Sequence, residues 1–466
     1  MADNNPERTF GQYLTDNIMR QGHKPVYVFS GFILAWCLFF LFWTVLPPFP
    51  GLSHEGMTVL GIVLWASIMW VSSAMPVGIT GISIPTLLLI SHALPWQNGK
   101  PPMATIFAGF TNHVIWLCLF AFLVGAVMQI IKLDRRIALG ILSWFKASSV
   151  GRIIWGMFFV NIVLGFLVPA ANARAATLLP VVQGICNLMG ETPEERSAKK
   201  AIVIQSLVYG SMICGMFIMT AHLPNMILVG IFEKNGFTNL NYLNWALLQV
   251  PYLGMFALTQ LWVRYHFKTA KIHITGGQQS IQKNYEALGP MSLPEKVLLG
   301  IFILAGILFM TGKGSFIFEL HRQPLGVIGL LGMLILFAPG LLPCSWKAIQ
   351  EKTIWGTFLL LGGAMTMTTA MSQSGLAQWL ADIIHNFVTG MTWGQAILAC
   401  MVGTHVIRLG MLSNVAAVAM LAPVAFAMAP KLGLHPVAFT MLVCDTDTFA
   451  YILPTQITAA VIASGT

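Results

Sequence analysis

Apolar runs separated by short polar links fill the chain from residue 27 onward. Tyr27–Leu46, Met57–Ser73, Ile79–Ile90, Ile106–Ile131, Tyr242–Trp262, Lys296–Met310, Gly326–Leu342 and Ile354–Met371 each predict one membrane-crossing helix. A crossing takes about 20 residues, fewer where a neighbouring turn completes it. Two longer runs are interrupted: Ala201–Phe232 by Thr220-Ala221-His222-Leu223-Pro224-Asn225, and Val437–Gly465 by Pro454. Two further stretches, Ile153–Met189 and Gln395–Met428, each hold two apolar arms around a polar turn. In the first, the turn is Val168-Pro169-Ala170-Ala171-Asn172-Ala173-Arg174, and neither arm is long enough to cross alone. A charge at membrane depth costs about 2.5–3.5 kcal/mol on insertion scales. Irregular backbone at that depth is tolerated only where it is buried in protein or lines a cavity. Both stretches therefore predict re-entrant helical hairpins, with the turns as candidate binding tips. Amphipathic segments, Ile137–Phe145 and Leu376–Phe387, precede the two hairpins and suit the membrane interface.

Composition agrees. Of 466 residues, 56% are hydrophobic and 9% charged, far below the charge of a soluble chain. Mean hydropathy is +0.76. The first 24 residues are polar and lack a signal-peptide core. The net charge of +9 could suggest nucleic acid, but the basic residues sit in short loops between spans, so no nucleic-acid partner is expected. With the N-terminus inside and both hairpins not crossing, 18 of the 25 Lys and Arg fall on the cytoplasmic side, as positive-inside bias requires. The seven cysteines are scattered without metal spacing, and no metal site is expected. No nucleophile–base set or Gly-rich phosphate loop is present, so an enzyme is not expected and no catalytic residue is assigned.

The two halves read alike. Gly125 and Gly363 lie in equivalent spans, each followed by an amphipathic segment, a hairpin and a proline-broken run. Pro180 follows Ala171 by nine residues, and Pro423 follows Asn414 by nine. The expected fold is an all-α polytopic membrane protein of two inverted repeats, each with a re-entrant hairpin and a broken transmembrane helix. Paired broken helices are how secondary transporters build a midplane site. The expected organisation is a cytoplasmic tail (1–24), a first scaffold span and loop (25–55), repeat 1 (56–266; hairpin 153–189, broken helix 201–232), a cytoplasmic linker (267–294) and repeat 2 (295–466; hairpin 395–428, broken helix 437–465). Against repeat 1, repeat 2 lacks a counterpart of Tyr242–Trp262, so one last span is expected to be missing.

The order of these elements resembles the divalent anion/sodium symporter family, and within it most closely the exchanger branch of citrate/succinate antiporters and plastid 2-oxoglutarate/malate translocators. Pro169-Ala170-Ala171-Asn172-Ala173-Arg174 stands where that branch has Pro-Ser-Asn-Thr-Ala-Arg. Leu133-Asp134-Arg135-Arg136-Ile137-Ala138-Leu139 resembles its Leu-Gly-Arg-Arg-Ile-Ala-Leu, Thr220…Pro224-Asn225 matches its broken helix, and Ser413-Asn414-Val415 holds its second Ser-Asn-Thr position. The resemblance implies that both tips and both broken helices meet at the anion. The implied substrate-binding residues are Ala170, Ala171, Asn172, Thr220, Pro224, Asn225, Ser413, Asn414, Val415, Pro454 and Thr455. It also implies a homodimer with elevator-type alternating access, embedded in membrane lipid.

Ala170, Ala171 and Val415 replace side-chain oxygens of the family pattern, which disfavours sodium as a coupling ion; no other cofactor is expected. Arg174, and His405 and His222 with it, would then supply positive charge, giving obligatory exchange of di- or tricarboxylates such as citrate across a bacterial inner membrane. The alternatives are sodium- or proton-coupled symport of a divalent organic or inorganic anion, and a non-transporting receptor or scaffold. Arg174 and Arg408 could instead snorkel to the interface. Asp445 and Asp447 suit either an interfacial place or a proton-coupling role.

Overall fold

Helix ends in this chain fall where the sequence supplies caps or breakers. Ser53 accepts from the Gly56 amide, Asn112 from Val114, Asn241 from Leu243 and Asn244, and Ser413 from Ala416. Thr192 with Glu195 and Thr392 with Gln395 close reciprocal capping boxes, each satisfying two otherwise orphaned N-terminal donors. The resulting computed structural model describes residues 10–20, 24–96, 98–146, 148–168, 170–269, 272, 274, 276–315, 317–411 and 413–449.

In chain order the helices are α1 (Phe10–Arg20), α2 (Pro25–Phe40), α3 (His54–Ser72), α4 (Val77–Ile90), α5 (Met103–Ile106), α6 (Ala108–Thr111), α7 (His113–Ile131) and α8 (Leu133–Trp144). They continue as α9 (Val150–Leu167), α10 (Ala171–Cys186), α11 (Pro193–Val203), α12 (Gly210–Phe217), α13 (Leu223–Lys234), α14 (Tyr242–Leu248), α15 (Pro251–His266) and α16 (Gly277–Glu286). The last are α17 (Leu293–Met310), α18 (Leu325–Leu336), α19 (Trp346–Lys352), α20 (Trp355–Gln373), α21 (Leu376–Val388), α22 (Trp393–Gly410), α23 (Asn414–Met428) and α24 (Pro436–Thr448). No strand occurs among the described residues, so the all-α expectation holds. Among the described residues, six helical segments are long and apolar enough to cross a membrane, eight if each of two bent pairs is one span.

Several boundaries differ from the sequence expectation. The run Ile106–Ile131 is not one helix: α5 and α6 are single turns, and α7 starts afresh at Asn112, whose side chain caps it. Tyr242–Trp262 is two helices meeting at 51°, because Pro251 brings no N–H to continue the ladder of α14. The polar link 267–294 contains α16, docked on α8 through Ser143 and Gln282. Where the two hairpin turns are expected, α9 ends at Leu167 and α10 begins at Ala171, and α22 ends at Gly410 and α23 begins at Asn414; the broken run 201–232 parts at Ile218–His222. Pro169, Leu412, Pro454 and Thr455 lie outside the described residues.

Two compact units divide the chain. One comprises residues 1–111 and 355–444, the other residues 112–354 and 445–466. In the first, α20 is seated on α4 and α6 through glycines. A Cβ on Gly363 would collide with the Gly81 carbonyl, and the Gly109 amide donates to Thr366 Oγ1 at 3.1 Å. Close small-residue seams are how apolar helices gain contact in lipid, where no hydrophobic driving force acts between them. In the second unit α7 packs on α18, with Gly326 against the His113 carbonyl. There α8 packs on both arms of the first hairpin. The Arg136–Glu295 ion pair (2.7 Å) fixes α8 to the start of α17, with Arg136 also donating to the Gly289 carbonyl at 2.9 Å.

Candidate anion site

Two helix N-termini of the second unit, those of α10 and α13, stand at helix breaks inside apolar runs and lack a side-chain cap. Helix α10 begins after Ala170, which has no oxygen to offer its first amides. Helix α13 begins after His222, which gives no cap either, and Pro224 follows in its first turn. At α10 the first-turn amides gain no side-chain acceptor; at α13 Pro224 has no N–H and the Asn225 amide donates to the His222 carbonyl, so that end offers the Leu223 amide, and both present the positive end of a helix dipole.

Arg174 ties these two ends together. Its side chain is completely buried within the protein. Nη1 donates to the Val168 carbonyl at 2.7 Å and to the Ala221 carbonyl at 2.6 Å; Nη2 donates to the Ser211 carbonyl at 2.8 Å. Val168 lies shortly before α10 and Ala221 shortly before α13, so one planar guanidinium bonds next to both starts. Burial this deep has a cause in the backbone: a broken helix leaves carbonyls without partners, and a cation with five donors can serve several of them. Gly215 leaves room for this, since a Cβ there would sit 3.2 Å from His222 Cβ and 3.4 Å from Arg174 Nη2.

The C-terminal side of the break is closed separately. Asn225, 1% exposed, donates from Nδ2 to the Gly215 and Ile218 carbonyls at 2.9 and 3.4 Å. Its Oδ1 has no hydrogen-bond partner among the described residues. His222 is buried, with Nε2 3.2 Å from Thr448 Oγ1 of α24. Behind the break, Asn161 of α9 donates to the Met157 and Ser206 carbonyls and accepts from Ser211 Oγ. Its backbone carbonyl accepts from Cys214 Sγ. Sequence reasoning missed Asn161; a lone asparagine inside an apolar arm was the available signal.

The other predicted residues of this unit fall around the same place. Ala170 and Ala171 are buried, Asn172 is exposed, and Pro224 is buried. Thr220 is buried and lines an apolar cavity of ≈ 320 Å³ with Leu117, Phe120, Phe166 and Tyr242. That cavity's walls suit hydrocarbon rather than a carboxylate. Asp445 and Asp447 are both buried within the protein.

In the first unit, the second tip has its own arrangement. Ser413 caps α23, Val415 is buried, and the buried Arg408 donates through Nη2 to Asn414 Oδ1. His405, three residues before Arg408 on α22, is half-buried. Thr368 of α20 donates to the Ala419 carbonyl at 3.0 Å.

A multi-pass, all-helical membrane protein with interior helix ends, two of them pinned by a buried arginine, belongs to the class that handles ions or polar solutes within the bilayer. Residues 31–466 match the profile of the family described as sodium:sulfate symporter transmembrane region, and the chain belongs to that family of divalent anion/sodium symporters. It is 27% identical over 461 residues to a protein of Staphylococcus saprophyticus named sodium-dependent dicarboxylate transporter SdcS, covering 94% of this chain and 85% of the relative. A protein of the same name from Staphylococcus aureus is 25% identical over 450 residues, covering 91% and 82%. A Cupriavidus necator protein named only as a membrane protein is 28% identical over 435 residues, covering 90% and 83%. The family and the two Staphylococcus relatives are named as transporters, not enzymes.

Proposed function

We propose that this protein moves small dicarboxylates across a bacterial plasma membrane by alternating access, with its N-terminus cytoplasmic. The observation that carries the proposal is the pair of uncapped helix N-termini, α10 and α13, held side by side by Arg174. A carboxylate is a natural occupant of such ends, because their amides donate and their dipoles favour negative charge. The names of the Staphylococcus relatives support a dicarboxylate over an inorganic anion, and sodium coupling over the exchange expected from the altered tips. One observation favours exchange. Arg174 bonds only to carbonyls, so among the described residues no acidic side chain neutralises it and an anion would. The second tip, Ser413-Asn414-Val415 with Arg408, is proposed as a further part of the transport machinery, in a homodimer surrounded by lipid.

Proteoliposome flux of labelled succinate tests this. Sodium-driven uptake into vesicles empty of dicarboxylate establishes symport. Uptake that requires internal dicarboxylate establishes exchange. A purified protein that neither binds nor moves succinate, citrate, malate or tartrate refutes the proposal.

A further inference from the structure

Asp445 is a second buried charge-bearing group in the same unit, and neither the tips nor the break uses it. It is 3% exposed. Its Oδ2 accepts from Gln249 Nε2 at 2.9 Å and from the Tyr252 hydroxyl at 3.2 Å. These are its only partners among the described residues: no Lys, Arg or His pairs with it, and Oδ1 carries no hydrogen bond. Gln249 stands at the 51° bend between α14 and α15, and Tyr252 in the first turn of α15. The Tyr252 ring stacks on Phe449 at 5.4 Å, which holds the hydroxyl in place.

The titratable groups nearby are few. Tyr252 is the one facing the carboxylate from α15, and α14 brings only the neutral Gln249 from its end. On α24 itself Asp447 is two residues on, which places it on the opposite side of the helix. His222 lies beyond Thr448. Both partners offer hydrogen-bond donors, whereas a metal cation needs oxygen lone pairs. Burial without a countercharge works against the ionised form, and the two donors work for it. A carboxyl balanced in that way can exchange a proton.

We propose that Asp445 is a proton-carrying group of this transporter. Its Oδ1 takes a proton from water on one side of the membrane and returns it to water on the other, so that succinate uptake is linked to proton entry. The inference rests on the dicarboxylate-transport reading and holds with or without sodium. The link to the anion site is short. Thr448 is one helical turn beyond Asp445 on the same face of α24, and it bonds His222, whose neighbour Ala221 is held by Arg174.

The test is full-length protein in proteoliposomes without a sodium gradient, acidic outside and neutral inside. The wild type takes up succinate faster than at symmetric pH, and Asp445→Asn loses that stimulation. The variant also controls for the changing protonation of succinate itself. Tyr252→Phe keeps the carboxylate and removes one donor to its charged form, so the pH of half-maximal stimulation moves upward. Wild-type uptake that ignores the proton gradient while responding to sodium or to internal succinate overturns the proposal, as does an Asp445→Asn variant that responds like the wild type. Infrared difference spectra report the group without transport. A protonated-carboxyl C=O band that titrates in the wild type and is missing in Asp445→Asn supports the assignment, and its absence from the wild type overturns it. Wild-type vesicles that move no succinate under any gradient or in counterflow refute the transport reading instead, and the infrared result still decides Asp445.

Discussion

Replacing Arg174 by methionine removes the donors of two carbonyls that accept no backbone N–H, those of Val168 and Ala221. The third, that of Ser211, lies inside α12 and keeps its place in the helical ladder. An unsatisfied buried carbonyl costs about 1–3 kcal/mol, so two cost about 2–6 kcal/mol. Against this, removing a buried guanidinium returns several kcal/mol of desolvation. The terms oppose each other, so stability falls by less than the carbonyl count suggests. Geometry has no such compensation, since Arg174 is the group that bonds beside both the start of α10 and the start of α13. We expect Arg174→Met to weaken succinate binding at least tenfold, which is about 1.4 kcal/mol. Arg174→Lys also fails to restore it, because a point charge on a shorter stem cannot copy the planar fork. Calorimetric titration of purified protein, paired with thermal unfolding, separates the two effects. A methionine variant with wild-type affinity and unchanged unfolding temperature would show that the arginine positions nothing.

Asn225→Ala removes the donor to the Gly215 carbonyl, while that of Ile218 keeps the Ala221 amide, and should lower stability by about 1–3 kcal/mol and reduce succinate flux, read by thermal unfolding and vesicle uptake. Gly363→Ala places a methyl against the Gly81 carbonyl, and overpacking of this kind costs about 1–3 kcal/mol; a matched unfolding temperature would contradict the tight seam between α4 and α20. Arg136→Ala leaves Glu295 buried without its cation. The loss should be about 3 kcal/mol, the low end for a broken buried pair, because Ser292 still donates to the carboxylate. Arg136→Lys should recover part of it in the same unfolding assay.

Hydropathy and breakers were enough to place most helices, both tip breaks and the parting near Thr220–Asn225. These follow from local properties: apolar length, the missing N–H of proline, and small or polar residues where a ladder must stop. The same local information misjudged the bend at Gln249, the restart at Asn112 and the helix inside 267–294. In each, a single cap, proline or docked neighbour outweighed the average character of the run. The motif around Arg174 was also legible, as part of a family resemblance that the profile match now supports.

What Arg174 touches was not legible. Its acceptors lie 6, 37 and 47 residues away, on separate segments of the chain. Asp445 finds Gln249 across 196 residues and His222 finds Thr448 across 226. Sequence alone determined that charges and helix breakers interrupt the apolar runs, because the pattern shows in one dimension. Only the tertiary structure decided which backbone carbonyl or side chain satisfies each one. Those partners are chosen by packing, and packing brings together residues whose spacing along the chain carries no trace of their meeting.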